Sequence, residues 1–115
     1  YQKRLRMSNN YLIDVKKKRE LFIRSFENNL DSIYDEIIKA KDDNQLYSIR
    51  VHKYLTDSGL FGKVKIARFF DEIGLNEKTK FKDLNTNDIK KITEYVSNTW
   101  LLFLVVHQVL ANLQL

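Results

Sequence analysis

The chain contains no proline in its 115 residues, and only three glycines. The two strongest helix breakers are therefore almost missing, so little stops long helices from forming. Breaks have to be read from the glycines and from clusters of Asn, Asp and Ser. Two of the glycines fall within one short segment, Ser58-Gly59-Leu60-Phe61-Gly62-Lys63-Val64-Lys65-Ile66. Apolar residues at helical spacing lead into this segment and out of it. The pattern predicts an all-α fold with a tight helix-hairpin-helix turn near its middle. Gly59 and Gly62 permit a sharp turn and close approach of a ligand to the backbone. The free N–H groups of the following helix point outward at the positive end of its dipole. A phosphate is the natural guest there, and Lys63 and Lys65 add full positive charge.

Elsewhere the apolar spacing predicts helices over 11–28, 31–41, 48–56 and 62–73, and one that begins at Asn85 or Thr86. Residues 1–10 are basic and polar and read as a flexible arm, within which Met7 is a natural start. Ser8, Asn9 and Asn10 read as caps for the first helix. Its expected inner positions are Leu12, Val15, Leu21, Phe22 and Phe26. In the later helices they are Ile33, Ile37, Ile38, Ile49, Val51, Tyr54 and Leu55, then Val64, Ile66, Ala67, Phe69, Phe70 and Ile73. Phe61 is also expected inside. Gly74 reads as a C-terminal stop, and residues 75–83 as a lysine-bearing loop or short helical turn. Residues 11–96 thus form one helical domain. Residues 97–115 form an apolar tail with no charged group after Glu94 apart from His107. The apolar run that starts at Trp100 is shorter than the roughly 20 residues a membrane span needs. It can extend the last helix and pack on the domain, form a dimer contact, or be extraneous.

The net charge is +5, and it is unevenly spread. Residues 1–30 carry +5, 31–48 carry −3, 49–70 carry +4 and 71–115 carry −1. Two basic blocks, one of which holds the glycine turn, suggest a polyanionic partner. Catalytic chemistry has little to stand on. There is no cysteine, and His52 and His107 are far apart, so no metal-ligand spacing exists. No phosphate-binding GxxxxGK[ST] loop and no nucleophile–base pair is present. No catalytic residue, metal site, cofactor or small-molecule substrate is assigned.

From Arg19 to Val96 the landmarks follow in order. They are the polar break Phe26-Glu27-Asn28-Asn29, the helix Ile33 to Lys41 ending in Asp42-Asp43, and Ile49-Arg50-Val51. Then come Gly62-Lys63-Val64-Lys65, Ile73-Gly74-Leu75, Lys78-Thr79-Lys80-Phe81-Lys82-Asp83-Leu84 and Glu94-Tyr95-Val96. In this order they resemble the actinobacterial-type integration host factor, a small helical nucleoid protein. The second half is also similar to the helix–two-turns–helix element of a small-subunit ribosomal protein. The family often has a proline and a small residue where this chain has Gly59 and Leu60, and its basic loop is richer in arginine.

The resemblance implies a non-enzymatic bacterial protein of the cytoplasmic nucleoid. Such a protein binds duplex DNA with little sequence preference, bends, bridges or condenses it, and assists recombination or integration. The DNA-contacting residues it implies are Gly59, Gly62, Lys63, Lys65 and Arg68, with Lys78, Lys80 and Lys82 on the neighbouring loop and Arg50 and Lys53 on the same side. Lys16, Lys17, Lys18 and Arg19 are the candidates for a second DNA segment. RNA is the alternative partner, and a helical protein–protein adaptor the alternative class. A monomer with no membrane span is expected.

Overall fold

The computed structural model describes residues 2–113, with side chains placed for 10–99, 101, 102, 108–110, 112 and 113. Five α-helices carry the chain: α1 (Gln2–Arg24), α2 (Ile33–Asp42), α3 (Val51–Thr56), α4 (Lys63–Glu72) and α5 (Thr86–Leu113). Short 3-10 turns fill the gaps at Ser25–Asn28, Leu30–Ser32 and Phe81–Asp83. No strand occurs among the described residues. The fold is all-α, as the sequence pattern predicts.

The first residues of the chain differ most from expectation. Residues 2–10 are helical and continuous with the rest of α1. Ser8, Asn9 and Asn10 are weak helix formers rather than breakers, and no Gly or Pro lies nearby. The helix therefore runs through them. Among its described side chains α1 reaches the core only at its last turn, through Phe22 and Ile23, and Phe26 follows in the adjoining 3-10 turn. Leu12 and Leu21, expected inside, stand 62% and 67% exposed. Beyond Val96 the tail extends α5 to Leu113 without a buried side chain among those described. These projecting ends help stretch the molecule to 68 × 34 × 24 Å.

Of the other expected inner positions, Phe22, Phe26, Ile33, Ile37, Ile49, Val51, Tyr54, Leu55, Phe61, Ile66 and Phe70 are buried, and Val15, Ile38, Ala67, Phe69 and Ile73 are partly buried. Phe81, Leu84, Ile89, Ile92 and Val96 complete the core. Val64 is the exception on α4, at 65% exposed. Local chemistry sets the helix ends. Gly74, at φ +81°, closes α4. The Leu75 N–H donates back to the Phe70 carbonyl at 2.8 Å and the Gly74 N–H to that of Asp71 at 3.4 Å, the two bonds of a Schellman stop. At the start of α5, the Asp88 N–H donates to Asn85 Oδ1 (2.8 Å) and the Asn85 N–H to Asp88 Oδ2 (3.2 Å). The two side chains satisfy each other's backbone donors, which fixes the helix start at Asn85.

An aromatic cluster centred on Tyr54 joins the parts. The Tyr54 ring stacks on Phe22 (4.6 Å between centroids) and meets Phe26 and Phe81 edge-on at 5.1 and 5.4 Å. Phe61, in the hairpin itself, packs on Phe26 at 5.7 Å. Helices α1 and α3, the hairpin and the 80s turn are thereby tied to one another. Such pairs contribute about 0.5–1.5 kcal/mol each beyond their burial. The Tyr54 hydroxyl is buried and finds no hydrogen-bond partner. Burial, with a smaller push from the Glu36 charge, holds its proton above the ordinary phenol value.

Replacing Tyr54 by Phe keeps the ring stack and removes the orphan oxygen. Tyr54→Phe is expected to raise the stability of the fold by about 1 kcal/mol near neutral pH, read by urea denaturation. The native protein should also lose stability as pH rises through 10, where the unfolded chain gives up this proton and the folded chain keeps it. The variant should lack that part of the loss.

Candidate nucleic-acid interface

The hairpin between α3 and α4 is tight, and its two glycines do different work. Gly59 sits at φ +82°, in the region that favours glycine. Its N–H donates to the Thr56 carbonyl at 3.1 Å. Gly62 is extended, at φ −71° and ψ 141°, and is the residue before α4. A Cβ on either glycine would meet nothing within 4 Å. Leu60 lies between them, 45% exposed.

Helix α4 begins in an unusual electrostatic setting. Its first turn holds Lys63 and Lys65 and no acid, and no side chain caps its N–H groups. Positive charge at the positive end of a helix dipole is unfavourable. Helix α2 of this chain has the opposite arrangement, with Asp35 and Glu36 in the first turn and Lys39 and Lys41 in the last. His52 braces the α4 start from α3, with Nε2 donating to the Lys63 carbonyl at 3.0 Å and its ring edge-on to Phe70. Nothing in the sequence marks His52 for this part, because it lies eleven residues away on another helix.

The lysine loop is stitched onto the segment before α3. The Val51 N–H donates to Thr79 O (3.0 Å), the Phe81 N–H to Ile49 O (3.2 Å) and the Lys82 N–H to Tyr47 O (3.0 Å). Arg50 and Lys80 face each other across the resulting antiparallel bridge. Like charges directly opposite are destabilising, so burial of Ile49, Val51, Thr79 and Phe81 around them must hold the pair together. The Lys82 ammonium lies 5.9 Å from the Tyr47 ring centroid. Around this bridge the cations share shallow depressions. Arg50 and Lys53 line one with Lys16 and Arg19, and Lys53 and Lys63 line another with His52, Asp57 and Glu77. Lys78 borders a third, against α4, with Asp71 and Glu77. Lys65 and Arg68 stand exposed on α4.

The ion pairs among the described residues are Lys18–Asp43 at 2.6 Å and Glu36–Lys39 at 3.6 Å. Arg50, Lys53, Lys63, Lys65, Arg68, Lys78, Lys80 and Lys82 therefore have no carboxylate partner among those residues. The four basic residues of α1 divide differently. Lys18 pairs with Asp43 and donates to Gln45 Oε1 at 2.9 Å. Arg19 donates to the Gln45 carbonyl at 2.7 Å and to Ser48 Oγ at 2.5 Å. These two dock α1 onto the α2–α3 connection, while Lys16 and Lys17 remain exposed. The Lys18 ammonium beside Asp43, aided by the Gln45 N–H, holds the Asp43 carboxyl below its ordinary value. Among the described residues no group of His, Asp and Glu is placed to hold a metal ion, and no helix is long and apolar enough to cross a membrane. No family model, curated protein or solved structure matches the chain.

Two expectations follow for stability. Gly59→Ala forces a Cβ into the left-handed region and should cost about 1 kcal/mol, whereas Gly62→Ala should be close to neutral. Thermal unfolding of the two variants checks the contrast. The Lys18–Asp43 pair should persist above pH 4 and be lost as pH falls through the lowered Asp43 value. The protection of α1 amides near Lys18, taken relative to their intrinsic exchange rate at each pH, should then fall at low pH. In Asp43→Asn it should already be low at pH 7.

Proposed function

We propose that this chain binds the phosphate backbone of duplex DNA with the face formed by the hairpin, the start of α4 and the lysine loop. The observation that carries the reading is the pairing of Arg50 with Lys80 across a backbone bridge, with neither side-chain charge in an ion pair among the described residues. The Asp83 carboxylate beside them accepts from the Lys80 N–H at 3.1 Å. The uncapped, lysine-led start of α4 points the same way. Backbone N–H groups after Gly62 would take one phosphate, with Lys63, Lys65 and Arg68 beside it. Lys78, Lys80, Lys82, Arg50 and Lys53 would follow the strand away from it. Contacts of this kind position a protein without reading sequence.

The resemblance to the actinobacterial-type integration host factor gives this chemistry its setting, an architectural protein of the bacterial nucleoid that bends, bridges or condenses DNA. Lys16 and Lys17 are left as the contacts to a second segment. Lys18 and Arg19, engaged with the protein itself, are the weaker half of that set. The lysine-rich loop grips phosphates as point charges, without the bidentate geometry of guanidinium.

Fluorescence anisotropy with a random-sequence duplex, across a salt series, tests the reading. The logarithm of the affinity should fall steeply and linearly with the logarithm of salt concentration. In Lys63→Ala/Lys65→Ala the slope should be shallower by about 1 to 2, because each lysine removed leaves one phosphate with its counterions. Unlabelled RNA should compete less well than DNA. A folded protein that fails to bind at low salt would refute the proposal.

A further inference from the structure

The end of α5 is a surface of a different kind. Past Val96, the last buried side chain described, residues 97–113 continue the helix for about 25 Å. Leu101, Leu102, Val109, Leu110 and Leu113 stand 51–76% exposed along it. Leu102, Val109 and Leu113 are seven and four residues apart, which sets them on one stripe. We infer that this stripe pairs with the same stripe of a second copy, making the protein a dimer through its α5 ends.

The spacing favours a helix as the partner. Steps of seven and four residues are those of a coiled-coil seam, in which each apolar side chain enters a hole on the facing helix. Charge favours a second copy of this chain. At a net charge of +5 two copies repel over most of their surface. Nothing after Glu94 is charged except through His107, so two α5 ends meet with almost no like-charge penalty. The other exposed apolar cluster, Tyr11, Leu12 and Ile13 on α1, lacks that advantage because Lys16 to Arg19 follow it directly. The area also suffices. Covering one side of a helix about 25 Å long and 10 Å across removes on the order of 500 Å² from each copy. The total, about 1,000 Å², reaches the lower bound for a specific interface. The pairing does not depend on what the basic face binds.

Sedimentation equilibrium of the full chain over a concentration series tests this. The native protein should reach twice the 13.7 kDa chain mass. Leu102→Asp/Val109→Asp should raise the dimer dissociation constant on the order of 100-fold, because two charges from each copy would be buried at the seam. Its far-ultraviolet circular dichroism should remain that of a folded helical protein. Leu12→Asp, away from the stripe, should leave the dimer unchanged. If the aspartate pair unfolds the chain, Leu102→Ser/Val109→Ser takes its place. A native protein that stays at the single-chain mass overturns the inference, as does a folded seam variant that stays dimeric. So does a monomer that instead sediments with phosphatidylcholine vesicles, which would place the stripe on lipid.

Discussion

The stacking of Tyr54 against Phe22, Phe26 and Phe81 is the constraint on which the rest of the structure depends. Helix α3 has only six residues and cannot stand alone. It exists because its inner face is clamped between α1 on one side and the 80s turn on the other. The same clamp decides where Arg50 and Lys53 project, since they flank Val51 and Tyr54 on the same short segment. It also carries Phe81 inward, and with it the backbone of Lys80 and Lys82. The cationic face is therefore a by-product of aromatic packing. Its geometry is set by apolar side chains that never reach the surface.

The divided use of the basic residues follows from the same architecture. Cations of one type serve opposite ends according to what lies across from them. Lys18 and Arg19 face a carboxylate, an amide and a hydroxyl of the 43–48 segment, and they hold α1 in place. Arg50 and Lys80 face one another. A run such as Lys16-Lys17-Lys18-Arg19 reads in sequence as one unit, and the turn of the helix splits it in two.

Much of the fold was legible because the relevant signals are local. Gly74 marks the end of α4, and Asn85 or Thr86 the start of α5; each acts within a few residues of itself. The hairpin was legible from Gly59 and Gly62, although only Gly59 needs glycine for its conformation. The inner stripe of α2 followed from spacing. What escaped was set by distant partners. Leu12 and Leu21 carry the same apolar spacing as Phe22 and Phe26, yet nothing lies opposite them to cover them. The bridge between Arg50 and Lys80 joins residues thirty apart with no pattern to announce it. The brace from His52 to Lys63 is likewise visible only in three dimensions.

The opposed Arg50–Lys80 pair also bears on the energetics of folding itself. Arg50 and Lys80 are held opposite each other by backbone hydrogen bonds in the native state and drift apart in the unfolded chain, so any repulsion between them opposes folding. Whatever neutralises them favours the native state over the unfolded one. A polyanion settling on this face would then act as a folding ligand, and raised ionic strength would do part of the same work by screening. The lysine loop and the segment before α3 would be drawn together most firmly when occupied.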